Sequence, residues 1–427
     1  MHRRTHRRRL GFAPLAMLSV VGLTLAACGS DEGSGSDEGS GTTTASTTGA
    51  STTTAGSAAT TTAGSSAPAG SDPLALCDAS KAPAQLTKVR LQLQWYKQAQ
   101  FAGYLAAAQK GCYKAAGLDV QFLEGAADIT PQEVLAAGQA DFAIAWVPKA
   151  LATREKGADI VDIAQIFQRS GTLQVSFKDK AITSAADFKG KTIGNWGFGN
   201  EFEIFAALSK SGLDPAKDVT LVAQQFDMNG LLSGDIDAAE AMTYNEYAQV
   251  LEAKDDTTGK LYASSDLNVV SYEKEGVGML QDALWTTGSK LSDPAFEKTA
   301  TALVEASLLG WVYCRDHATE CRDITVAQGS KLGASHQLWQ MNEVNGLIWP
   351  SRDGIGMVDA TAWARTVGIA QSAKNLDGKT VLTKAPDAAA YTNDIVTVAL
   401  AELRAAGVDV TGAGWKKLDV TLQAGGN

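Results

Sequence analysis

From Ala84 onward, short apolar runs of strand length alternate with stretches of helical period, and nothing else in the chain narrows its possible folds so far. Lys88–Gln94 alternates as a strand, Gln100–Ala116 reads as a helix stopped by Gly117, and Leu118–Leu123 reads as a second strand. Pro131–Gly138 is a helical turn and Asp141–Trp146 a third strand. The pattern resumes with Lys191–Trp196, Glu201–Ser211, Val219–Gln225, Gly230–Gly234, Ala238–Met242 and Tyr244–Ala253. Elements alternating at this length build parallel sheets covered on both faces, an α/β fold.

Roughly 350 residues of such chain exceed one ordinary core, so two domains are expected. Ile163–Phe177 and Leu267–Leu280 are long and strand-like and flank the second series of elements. They read as two strands crossing between lobes, with lobe I at 73–178, an inserted lobe II at 179–275, and lobe I resumed with C-terminal helices at 276–427. Two crossings make a hinge, and the cleft between two lobes is a favoured place for a small ligand.

The N-terminus carries a different message. Met1 to Leu10 holds five arginines and no acid, Phe12–Ala27 is apolar, and Leu25-Ala26-Ala27-Cys28 follows. This reads as a secretory signal at 1–27. The tetrapeptide resembles the lipobox of bacterial lipoproteins, which implies cleavage before Cys28 and lipid on its thiol. Arginine pairs at Arg3-Arg4 and Arg7-Arg8 suit twin-arginine export as well as the general route. Residues 28–72 are nearly all Ser, Thr, Gly and Ala with a few acids, too little apolar surface to offset chain entropy, so a disordered tether is expected. Its reach would be roughly 35–40 Å. The expected location is the outer face of the cell membrane. Without the leader, 32 basic residues face 47 acidic ones, a net charge of about −15. Such a surface repels nucleic acid.

If Cys28 carries lipid, four cysteines remain, an even number that points to two disulfides with three possible pairings. Cys314 and Cys321 are the local pair, and Cys77 with Cys112 is then a possible second. His317 alone stands near them, at a spacing that fits no common structural zinc pattern. No metal and no cofactor is expected.

Leu91-Gln-Leu-Gln-Trp95 followed by Gln98-Ala-Gln-Phe-Ala-Gly-Tyr104 resembles the opening of solute-binding proteins of the thiamine-pyrimidine-precursor type. Lys110-Gly-Cys-Tyr-Lys-Ala-Ala-Gly-Leu-Asp-Val120, Asp187-Phe-Lys-Gly-Lys-Thr-Ile-Gly194, Asn195-Trp-Gly-Phe-Gly-Asn-Glu-Phe202 and Met242-Thr-Tyr-Asn-Glu-Tyr247 extend the similarity over most of 85–280. The resemblance implies a two-lobed periplasmic-binding-protein fold of the second type. It also implies a monomer that delivers its solute to an ABC importer made of separate permease and ATPase chains. Such relatives bind pyrimidine precursors of thiamine, riboflavin, or small sulfonates and nitrate, and the aromatic segments here are nearest the pyrimidine and flavin branch.

A planar heterocycle needs stacking faces and a few hydrogen bonds at its edge. Trp95, Phe101 and Tyr104 follow the first strand, Trp196 and Phe198 hold the equivalent place in the second lobe, and Tyr244 and Tyr247 follow Met242. All three groups fall at the carboxyl ends of strands, where ligands bind in open α/β sheets. Asn200, Glu201, Asn245 and Glu246 are the polar candidates, and Trp146 is a further ring. Trp339, Asn342 and Trp349 read as helix packing. Enzyme motifs are missing: Gly190-Lys191-Thr192 has Ala185 where a phosphate loop needs its first glycine. No Gly-x-Ser-x-Gly elbow occurs in the folded part, and the cysteine-rich motif of related pyrimidine synthases is missing too. Capture without chemistry is therefore expected, with a ligand sensor, an adhesin or a pyrimidine-synthesis enzyme on the same scaffold as alternatives.

Overall fold

The computed structural model describes residues 73–427; the leader, Cys28 and the tether expected at 1–72 lie outside the described residues. The strands are β1 (Thr87–Gln92), β2 (Leu118–Leu123), β3 (Phe142–Trp146), β4 (Ile160–Gln165), β5 (Thr172–Phe177), β6 (Thr192–Asn195), β7 (Thr220–Ala223), β8 (Ala239–Met242), β9 (Leu267–Ser271) and β10 (Asp282–Thr287). A first sheet runs in the order β2-β1-β3-β10-β4. Its β1 is parallel to β2 and β3, whereas β10 is antiparallel to β3 and β4. Every residue of β3 and β4 is buried, as strands covered on both faces must be.

In the second layer β8 and β9 flank β5 antiparallel. The parallel pair β6-β7 joins it where the Gly194 amide donates to Ala238 at 2.8 Å. The chain leaves the first sheet after Gln165, enters the second at Thr172, and returns between Ser271 and Asp282.

The long strand-like stretches are therefore each broken. After Gln165 the amides of Ile166 and Phe167 both turn to the Asp282 carbonyl, at 3.2 and 3.0 Å, which takes the chain off the ladder before β5 begins. Likewise β9 stops at Ser271, and a turn follows in which Gly276 takes φ 71° and Val277 donates back to Tyr272 at 2.9 Å. The single helix expected over Gln100–Ala116 is split into α1 (Ala102–Gln109) and α2 (Cys112–Ala115) by Gly111, whose φ is 81°.

Further helices are α3 (Pro131–Ala136), α4 (Val147–Glu155), α5 (Phe202–Lys210), α6 (Asn229–Leu232), α7 (Glu246–Glu252), α8 (Gly288–Leu291), α9 (Pro294–Asp316), α10 (Ala318–Ala327), α11 (Ala334–Ile348), α12 (Ala360–Ser372) and α13 (Asp394–Ala405). A disulfide between Cys77 and Cys112 ties the turn at Pro73–Leu76 to α2, and one between Cys314 and Cys321 spans the junction of α9 and α10.

The long α9 covers the first sheet by lying against α1, and two glycines permit that approach. A Cβ on Gly310 would stand 2.0 Å from the Gly103 carbonyl, and one on Gly103 would stand 2.1 Å from the Trp311 ring. No side chain fits either position without moving the helices apart. Replacing Gly310 with Ala should therefore cost about 1–3 kcal/mol, the usual penalty for overpacking a core, read as a lower urea midpoint. An unchanged midpoint would contradict the close crossing.

Candidate functional site

A cleft opens at the carboxyl ends of β1, β2, β3, β6, β7 and β8, with about 830 Å³ of space that is partly open to solvent. The loops that leave those strands supply its walls, as the topology of open α/β sheets requires. After β1 come Gln94, Trp95, Gln98 and Gln100, after β3 Trp146 and Lys149, after β6 Trp196, Phe198 and Asn200, and after β8 Tyr244, Asn245 and Glu246.

Three aromatic rings dominate. Phe226, in the loop after β7, stacks on Trp196 with centroids 5.9 Å apart and planes 16° apart. Its other side meets Trp95 at 4.8 Å, tilted by 46°. One ring thus bridges the wall built by β1 to the wall built by β6. Phe198 stands at the rim, 80% exposed and with φ 54° between two glycines that are also left-handed. An aromatic residue pays for that backbone region with strain.

Polar groups fill the floor. The Asp282 carboxyl accepts from Trp146 Nε1 at 2.8 Å and from Gln100 Nε2 at 2.9 Å, while Gln98 Nε2 donates to Gln100 Oε1 at 2.7 Å. Burial pushes Asp282 up to about 7, against those two hydrogen bonds and the pull of Lys149. Lys149 Nζ lies 4.6 Å from the Trp146 ring centroid and donates to Asn200 Oδ1 at 2.7 Å. Burial pushes the lysine down to about 8, opposed by attraction to Glu201, Glu240 and Asp282. Glu246 is likewise raised to about 7 by burial, although the Met242 amide and Asn245 Nδ2 both donate to it.

Some polar atoms of these walls have no partner within the protein. Trp196 Nε1, Gln94 Oε1 and Gln132 Oε1 are buried and unbonded. Such a group is costly to bury unless something pairs with it.

Eight of the twelve expected ligand residues come together here: Trp95, Trp146, Trp196, Phe198, Asn200, Tyr244, Asn245 and Glu246. The other four do not line the cleft. Phe101 is fully buried, and Tyr104 meets the Trp311 edge at 5.7 Å, because their face of the chain turns toward α9. Glu201 bends back to accept from the Gly199 amide at 2.9 Å. Tyr247 follows Glu246 by about 100° around α7 and so points away, against Trp339 at 6.1 Å. Trp339, Asn342 and Trp349 also stand outside the lining. Gln94, Gln98 and Gln100 sit inside the segments that carry the resemblance but were not singled out, while Lys149, Phe226 and Gln132, which also line the cleft, and Asp282, which bonds to Trp146 and Gln100, lie outside those segments. Lys149 could have been noticed, since Val-Pro-Lys directly after a buried strand places a cation in the first turn of a helix.

Residues 98–321, more than half of the chain, match the family model described as NMT1/THI5 like. The chain belongs to the NMT1/THI5-like family. A thiamine biosynthesis protein of Haemophilus influenzae is 28% identical over 35% of this chain and 48% of its own. A 4-amino-5-hydroxymethyl-2-methylpyrimidine phosphate synthase of Legionella pneumophila is 28% identical over 32% of this chain and 43% of its own. The chain thus spans under half the length of these two relatives. The riboflavin-binding protein RibY of Chloroflexus aurantiacus is 27% identical over 69% of this chain and 84% of its own. Among solved structures, the periplasmic aliphatic sulphonate binding protein of Escherichia coli matches with a TM-score of 0.51 at 15% identity, over 78% of this chain and 94% of that one. At that identity the likeness concerns the fold, which is that of periplasmic solute-binding proteins.

The Asp282 carboxyl has a consequence for stability. Folded, it keeps its proton up to about pH 7, whereas in the unfolded chain it ionises near 3.8. Between those values the folded state binds more protons, so this group's contribution falls as pH rises. Asp282→Asn removes that contribution. The variant's melting temperature relative to the parent should rise between pH 5 and pH 8, and a constant difference would show that Asp282 titrates as in the unfolded chain.

Proposed function

We propose that this chain is the extracytoplasmic binding component of an ABC importer, capturing a small planar heterocycle in the cleft and performing no chemistry on it. The observation that carries this reading is the aromatic group Trp95, Phe226 and Trp196 beside buried, unpaired donors and acceptors. A flat ring stacked there gains roughly 0.5–1.5 kcal/mol per ring pair beyond area burial. Its edge would pair with Trp196 Nε1, which donates, and with Gln94 Oε1 and Gln132 Oε1, which accept. The name of RibY supports a flavin, and a relative in Halalkalibacterium halodurans named formylaminopyrimidine-binding protein supports a pyrimidine. In this reading the walls belong to lobes at 73–178 with 276–427 and at 179–275. Lipid on Cys28 keeps the protein beside its permease.

An enzymatic reading has one point in its favour. A lysine held near 8 and carboxyls held near 7 are tuned for proton transfer at neutral pH. It predicts that a pyrimidine incubated with the protein is converted, which mass spectrometry of the released ligand detects.

The deciding test is calorimetric titration with riboflavin, thiamine, 4-amino-5-hydroxymethyl-2-methylpyrimidine, taurine and nitrate. One of the planar compounds should bind, be recovered unchanged, and stabilise the protein by about 2.7 kcal/mol at a hundred times its dissociation constant. Trp95→Ala should weaken that binding at least tenfold, with little loss of stability because Trp95 is only partly buried. Binding of taurine or nitrate alone would overturn the choice of ligand.

A further inference from the structure

Behind the cleft wall, α11 holds a buried histidine that bonds to both ends of α7. His336 is 1% exposed. Its Nδ1 is 3.0 Å from both oxygens of Glu252, the last residue of α7, and its Nε2 is 2.9 Å from Oδ1 of Asn245, which precedes the first residue of that helix. Asn245 Nδ2 in turn donates to Glu246 Oε1 at 2.6 Å. Asn245 and Glu246 both line the cleft. Hydrogen bonds therefore run without a break from Glu252 through His336 and Asn245 to a carboxyl in the cleft.

The next residue of α11 faces the other wall. Gln337 Oε1 accepts from the Ala99 amide at 2.6 Å, and Ala99 lies between Gln98 and Gln100, which line the cleft from the β1 side. Trp339 Nε1 adds a bond to the Thr243 carbonyl at 2.9 Å, in the loop after β8. Three closely spaced residues of one helix are thus bonded to the two facing walls. A carboxyl group as deeply buried as that of Glu252 needs a partner, and the two ring nitrogens of His336 reach Glu252 and Asn245 at once.

We propose that His336 is a positioning residue for the cleft. It holds Asn245, and through Asn245 the Glu246 carboxyl, turned toward the ligand, while Gln337 beside it fixes the opposite wall. The gap that a ligand must bridge is then set by α11 rather than by the cleft loops alone. This rests on the reading that the cleft captures a planar heterocycle.

The test is a double-mutant cycle on the full chain, titrated calorimetrically with riboflavin and with 4-amino-5-hydroxymethyl-2-methylpyrimidine. His336→Asn keeps an amide near the Nδ1 position for Glu252 but withdraws the contact to Asn245. It should weaken binding at least tenfold in the native background and less than twofold when Asn245 is already Ala, with the melting temperature of the free protein somewhat lowered by the loss of a buried partner. A merely structural role would lower affinity equally in both backgrounds, which overturns the proposal. Should His336→Asn fail to fold, Glu252→Gln is measured in the same cycle and must show the same dependence on Asn245. If the parent protein binds neither probe nor thiamine, the planar-heterocycle reading fails and this inference falls with it. If the parent binds and His336→Asn and Glu252→Gln bind equally well, this inference alone fails.

Discussion

Asp282 is the point through which the two layers and the cleft are held in one arrangement. It opens β10 as the chain returns from the second sheet. Its carbonyl receives the amides of Ile166 and Phe167, so the outgoing crossing is fixed by the first residue of the returning strand. Its carboxyl holds the Trp146 indole and the Gln100 amide, both in the cleft. A buried carboxyl that serves crossing and cleft together links how the layers are joined to how the floor is shaped. The cost is a proton held to about pH 7.

A second network near the crossings repeats this economy with different residues. Glu203, on α5, accepts from the Met279 amide and from Ser170 Oγ, and so touches both passages of the chain between the layers. Gln281 joins them again, since its Oε1 accepts from the Gly171 amide and its Nε2 donates to Thr172 Oγ1 at 2.7 Å. Burial raises Glu203 to about 7 as well. Short polar side chains packed in this way give each passage a defined path, because each buried polar group must find its partner.

How much of this was legible beforehand follows from what each signal depends on. Leu118–Leu123 is legible to the residue because Leu-Asp-Val-Gln-Phe alternates apolar with polar directly after Gly117, which leaves a strand few alternatives. The outgoing crossing is open to a better reading: Gln168-Arg-Ser-Gly171 interrupts Ile163–Phe177 with polar, turn-forming residues, although the carbonyl that receives Ile166 and Phe167 lies more than a hundred residues away. Rings and asparagines placed directly after strands line the cleft, because strand ends face it whatever the rest does. Phe101, Tyr104 and Tyr247 stand outside the cleft lining because helical phase decides whether a ring faces the cleft or the core. A shift of one residue reverses the answer. Lys149 and Asp282 were missed because their importance lies in burial, a property of the packed chain.

The cleft combines features that a stability-driven core would avoid. Trp196 Nε1 and two glutamine oxygens are buried without partners, Phe198 keeps a left-handed backbone with its ring in water, and a lysine sits where burial weakens its charge. Each costs free energy in the unliganded protein, so packing elsewhere must offset them. The crossing of α1 with α9 at Gly103 and Gly310 does so by bringing two helix backbones into contact over a buried Trp311. Such separation of stable frame from costly site lets hydrogen-bond capacity accumulate in one place and remain oriented without a ligand. Preorganised groups of this kind surrender little further entropy when a partner arrives. The strain and the unpaired atoms are therefore consistent with one another: they come from different loops and helix starts, yet all line the same cleft.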